Sequence, residues 1–107
     1  MAEQRPPPGP EPIAHRPVIS RSGGIAVNTT ERGLPTRLKI AAAEMSRAPE
    51  DLAREILSLC QLSAIRQQVA RGRGLLVHGF TPAVIRGLRL ATEEDLAAAE
   101  HEAQATT

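Results

Sequence analysis

Aromatic side chains are almost missing from this chain: Phe80 is the only one in 107 residues. Large side chains supply most of a core's burial energy. An apolar fraction of 41% that leans on alanine therefore promises a small core, of the kind that often gains stability by self-association. Cysteine is equally scarce. Cys60 stands alone, which excludes an intrachain disulfide. No apolar run approaches the ~18 residues that a membrane span needs. Residues 1–12 lack the apolar core of a signal peptide, so the expectation is a protein made and kept in the cytoplasm, unless a dedicated route exports it folded. Lysine is nearly absent too, since twelve of the thirteen basic residues are arginine.

Chemistry-bearing clusters are also missing. His15, His78 and His101 are scattered, and no spacing pairs them with one another or with Cys60 as metal ligands. Cys60 falls on the apolar flank of a helical stretch, where a free cysteine acts as a small hydrophobe. Ser22-Gly23-Gly24 and Arg71-Gly72-Arg73-Gly74 are glycine-rich. Neither has the strand–loop–helix context or the lysine of a phosphate loop. These absences argue against an enzyme and against a cofactor, a metal or a small-molecule substrate. They leave binding of a macromolecule, or self-association.

What is present divides the chain into three parts. Residues 1–17 hold six prolines, which remove backbone donors and favour extended chain, so this lead is expected to be disordered. Residues 18–90 read as a small α+β domain. Residues 91–107 read as an acidic, alanine-rich helix or tail. Charge follows the same division. Seven arginines against three acids lie in residues 47–89, whereas residues 90–107 carry five acids and no Lys or Arg. The basic middle permits nucleic-acid contact and the acidic end opposes it.

Within the domain, Gly24 to Thr30 alternates as a strand. Glu31-Arg32-Gly33 forms a turn with Gly33 suited to a left-handed conformation. Leu34 to Ala41 returns as a second strand. Thr36, Leu38 and Ile40 share one face, with Ile25 and Val27 opposite them, and Arg37 and Lys39 take the other. Pro35 belongs near the strand's start or at an edge. A main helix follows, capped by Ser46 or Ala48, with Pro49 in its first turn and Gly72 and Gly74 ending it after Arg71. Leu52, Ile56 and Leu59 form one apolar stripe; Leu62, Ile65 and Val69 form a second, rotated by roughly a quarter turn. The hairpin can cover one stripe. The other is covered either by a second copy, which makes Leu62, Ile65 and Val69 the interface of a homodimer, or by residues 75–88 folding back. Leu75-Leu76-Val77 is a short strand or an extended link. Thr81-Pro82 caps a short helix, Ala83 to Leu88. Thr92-Glu93-Glu94-Asp95 resembles a capping box and opens a helix to about Ala103, whose one large anchor is Leu96, so that it frays or extends into solvent.

A hairpin at Gly24-Ile25-Ala26-Val27, Glu31-Arg32-Gly33 and Leu38-Lys39-Ile40, then a helix beginning Leu52-Ala53-Arg54-Glu55-Ile56 and ending near Arg71, resembles the later half of the YbaB/EbfC family of small bacterial nucleoid-associated proteins. The overlap spans about residues 20–71. That family carries a long helix before its hairpin, where this chain has the proline-rich lead. The resemblance implies a dimer that clamps DNA. A closer similarity, over roughly residues 20–102, is to the short actinobacterial EspD/EspH-like proteins associated with type VII (ESX) secretion. It rests on Ile25 to Ile40, Met45-Ser46, Leu52 to Ile56, and the acidic stretch from Thr92 to Glu100. It implies an accessory protein of secretion that acts through protein contacts. If DNA is the partner instead, the contacts fall to Arg66, Arg71 and Arg73 near the helix end and to Arg37 and Lys39 on the hairpin. They would neutralise phosphates without reading bases.

Overall fold

The computed structural model describes residues 16–105. The proline-rich lead expected to be disordered lies, up to residue 15, outside the described residues. The class is α+β: a three-stranded antiparallel sheet, then one long helix and two shorter ones. The sheet is a meander of β1 (Val18–Ile19), β2 (Ile25–Thr29) and β3 (Pro35–Ile40), with β2 in the centre. Its register pairs Ile25 with Ile40 and Val27 with Leu38, so the expected shared face is formed. Gly33 turns the chain at φ +84, and the Thr30 hydroxyl accepts from the Arg32 and Leu34 N–H groups. Strand β1 was missed because two residues give no alternation to read. It pairs Val18 with Val27 and Ile19 with Ala26, and its Val18 is as buried as the centre of the sheet.

A 3-10 turn at Ala42–Ser46 leads to α1 (Pro49–Val77), which at 1.5 Å per residue is about 43 Å long. Ala48 is the cap, with Pro49 at the first helical position and Glu50 and Asp51 in the first turn, where they suit the positive helix end. Gly72 and Gly74 do not stop the helix. Each costs about 1 kcal/mol against alanine in a helix interior, but Gly72 lies against Ile85 and Leu90: a Cβ there would stand 3.9 Å from each. The stop is Gly79, at φ +91. Its N–H donates to the Leu76 carbonyl and the Phe80 N–H to the Leu75 carbonyl, the paired bonds of a Schellman close. Leu75, Leu76 and Val77 are thus helical, neither strand nor link.

Thr81 caps α2 (Pro82–Gly87) by accepting from the Val84 N–H at 3.3 Å. Thr92 and Asp95 exchange two bonds, at 2.8 and 3.1 Å, at the start of α3 (Glu93–Ala105). This is the expected capping box with aspartate as its acid. Helix α3 does not extend into solvent. It packs along α1, with Leu96, Ala99 and Ala103 against the core. Alanines suffice because small side chains let two helices lie close. Residues 91–105 therefore belong to the domain and are not a tail beside it.

The core gathers Val18, Ile25, Val27, Leu59, Cys60 and Leu62, with Leu52 and Ile56 partly buried beside them. Burying each of the three fully enclosed sheet residues is worth about 1.5–3 kcal/mol. Thr29 and Ser63, both buried, join sheet to helix by a hydroxyl–hydroxyl bond of 2.8 Å. The side-chain amide of Gln67 donates to the Thr29 carbonyl, and that of Gln68 to the Glu31 carbonyl.

Candidate functional site

The residues expected to form a dimer interface do not lie on the surface. Leu62 is 6% exposed and Val69 4%, and Ile65 is half-buried. Leu62 belongs to the core against which α3 lays Leu96, Ala99 and Ala103. The second stripe of α1 is thus buried within one chain: α3 packs against the core that holds Leu62, and α2 also contacts α1, with Ile85 beside Gly72 one turn beyond Val69. The alanine-rich composition of α3 hid this, because it offered only Leu96 as a visible anchor.

The five cationic candidates are not brought together. Arg71 bonds Glu31 at 3.1 Å across the hairpin turn. Arg73 makes a two-pronged pair with Glu93, Nε to one carboxylate oxygen at 2.6 Å and Nη2 to the other at 2.5 Å. That hydrogen-bonded pair raises the Arg73 pKa and holds the Glu93 carboxyl below the usual range. Arg66 is half-buried on another side, in a groove among β1, α1 and α3. Arg37 and Lys39 remain on the exposed face of β3, with no ion pair among the described residues.

The groove holding Arg66 has a volume of about 620 Å³. Its walls include Arg21, Arg47, Arg54 and Arg66, and also Glu44, Asp51, Glu55 and Glu100. Arg47 bonds both Glu44 and Glu55, which raises its pKa, and Arg54 pairs with Asp51 at 3.3 Å. The charges cancel in place, so the groove offers no concentrated field to an anion or a cation. Cys60 is buried, and burial pushes its thiol pKa up, the opposite of what a nucleophile needs. Among the described residues no group of His, Cys, Asp and Glu could hold a metal ion, and no helix is long and apolar enough to cross a membrane.

What the surface does offer is uncovered apolar area, most of it in two places, with Ile19 also exposed on β1. The larger surrounds the corner between α1 and α2, where Leu76, Val77, Phe80, Val84 and Leu88 are all about half exposed or more, Val77 to 85%. The smaller flanks β3, with Leu34, Leu38 and Met45 exposed. Leu57 joins it by helix geometry: it lies three and seven residues before Cys60 and Ala64 on one stripe of α1, and that stripe runs past Gly33 at the hairpin turn. Leu57 stands outside both stripes drawn from the sequence, which was a signal available there. The corner was hidden by ending α1 at Arg71. A scan against protein-family models, a search of curated proteins and a search of solved structures each gave no match for this chain.

Proposed function

We propose that this chain is a non-enzymatic interaction protein whose contact is with protein, through the apolar corner of α1 and α2. The observation that carries the reading is the exposure of Leu76, Val77, Phe80, Val84 and Leu88 together. A chain that buries so few large side chains leaves five at one corner in water, and contiguous apolar patches on small proteins mark contact sites. The partner is a second copy or another protein. The similarity to secretion-associated proteins supports seeking it among type VII components. Phosphate binding is the alternative, and the ion pairs of Arg71 and Arg73 count against it. Z phosphate contacts give a log–log salt slope of about −0.9Z, so contact through Arg37 and Lys39 alone would give roughly −1.8, a weak complex at physiological salt.

The test is co-purification from the native cell, with wild type and a Val77→Glu/Leu88→Glu variant side by side, and light scattering on both. The reading expects a partner, or a doubled mass, that is present with wild type and lost with the variant while circular dichroism stays unchanged. Equal recovery from both would end it.

A further inference from the structure

Strand β3 is an outer strand of the sheet, and its free edge has backbone groups to offer. The Ala41 N–H donates to the Gly24 carbonyl at 2.7 Å. From that pair the register continues through Ile25 with Ile40, Ala26 with Lys39, Val27 with Leu38 and Asn28 with Arg37. Antiparallel ladders alternate bonded and non-bonded pairs. Lys39 and Arg37 therefore turn their N–H and C=O toward β2. Ile40 and Leu38 turn theirs away from the sheet; the alternation stops at Thr36, which the register shift between Asn28 and Thr29 leaves unpaired. Among the described residues, none of these outward groups has a backbone partner.

The side chains alternate with the same period. Leu38 and Ile40 present one face, with Leu38 44% exposed. Arg37 and Lys39 present the other, both exposed and without an ion pair among the described residues. This alternation disfavours a second copy as the edge's occupant. Two β3 edges that meet antiparallel through their outward groups set even-numbered residues against even and odd against odd. In the register centred on Leu38, Arg37 of each copy faces Lys39 of the other, and in the one centred on Lys39 the two lysines face each other; like charges directly opposite destabilise a sheet. The same lysine and arginine are a known guard against edge-to-edge aggregation. What repels a copy attracts the opposite charge.

We infer that the β3 edge takes, as an added strand, an extended protein segment in which carboxylate side chains alternate with apolar ones. The backbone groups of Leu38 and Ile40 supply the ladder. The carboxylates meet Arg37 and Lys39, and the apolar side chains cover Leu38. A nucleic-acid strand would satisfy the two cations but would leave the outward N–H groups and the apolar face unused. The inference concerns a different surface from the α1–α2 corner and stands without it.

The experiment uses the full chain, labelled with nitrogen-15, and follows amide exchange of Leu38 and Ile40 during titration. The probe is a short capped peptide in which valine alternates with glutamate; the controls are its valine–lysine counterpart and duplex DNA. With the glutamate peptide at ten times its dissociation constant, exchange of the Leu38 and Ile40 amides should slow roughly tenfold, while those of Arg37 and Lys39 change little. The lysine peptide should give no protection. The Arg37→Glu/Lys39→Glu variant should reverse that preference, and because both side chains are exposed it should keep its fold. Protection that grows with protein concentration alone would overturn the inference in favour of a second copy. Protection by DNA and not by peptide would overturn it in favour of phosphate. No protection by any probe at millimolar concentration would also overturn it. A native partner that is lost with Val77→Glu/Leu88→Glu but kept by Arg37→Glu/Lys39→Glu would leave the corner contact intact while this inference fell.

Discussion

The hydroxyl–hydroxyl bond between Thr29 and Ser63 is the one buried polar link between the sheet and α1 that two nearly isosteric substitutions can dissect. Both residues are only 4% exposed, and the Oγ1–Oγ distance is 2.8 Å. In Ser63→Ala, Thr29 loses that partner but still reaches the Thr30 carbonyl at 2.9 Å, so the cost should be about 0.5–1 kcal/mol. In Thr29→Val, the Ser63 hydroxyl is left buried opposite a methyl group. Its remaining outlet is a bond back to the carbonyl one turn earlier, which is a poor substitute. The cost should be about 1–2 kcal/mol. The double variant removes both hydroxyls and leaves neither unsatisfied. It should cost no more than Thr29→Val alone, giving a coupling of about 1 kcal/mol. Urea unfolding followed by circular dichroism reads this directly. With a slope near 1 kcal/mol per molar for a chain of this size, each kcal/mol moves the midpoint by about 1 M. Additivity of the two single variants within ~0.3 kcal/mol would refute the reasoning, because uncoupled hydroxyls do not share a bond.

Three further outcomes follow from the same structure. Leu62→Asp should unfold the chain rather than dissociate a dimer, since it places a charge among core side chains; loss of the far-ultraviolet helix signal at room temperature is the expected readout, and a folded variant would contradict it. Gly79→Ala should cost about 1 kcal/mol or more, because φ +91 is strained for any residue with a Cβ, and its thermal midpoint should fall by several degrees. The Glu93 carboxyl is held below its usual pKa by Arg73, so the pair's contribution is present above the ordinary carboxylate range and is lost as pH falls through the lowered value. Both groups are exposed, so the effect should be small, should vanish in high salt, and should be absent from the acid limb of the stability profile of Glu93→Gln.

The hairpin was legible because its signals are local. β-Branched residues alternate from Ile25 to Thr29, Gly33 supplies the turn, and Leu38 and Ile40 fall opposite Val27 and Ile25; the bulge that leaves Thr36 unpaired was not legible. The caps at Thr81 and Thr92 were legible for the same reason: each needs only residues three apart. What stayed hidden depended on distant partners. Gly72 looks like a stop until Ile85 and Leu90 lie beside the helix. Leu62 looks like an interface residue until α3 is packed along α1. An alanine helix gives no sign in sequence of what it covers, since the packing it permits comes from its lack of bulk. The β3 edge is intermediate: its alternation could be read, but its outer position in the sheet could not.

The order of the elements also governs how the protein must come together during synthesis. Each strand of the meander pairs with its sequence neighbour across a short turn, so closing the sheet costs little loop entropy. Closure alone gains little, because Ile25 and Val27 have nothing to rest on until the stretch from Leu52 to Leu62 has left the ribosome. The core is then completed by the turns of α3 that hold Leu96, Ala99 and Ala103. A ribosome stalled within α1 would hold a nascent chain with paired strands, a bare apolar sheet face and an open β3 edge. A bare apolar face of that kind is what chaperones bind, and charged side chains on an open edge, such as Arg37 and Lys39, oppose edge-to-edge joining.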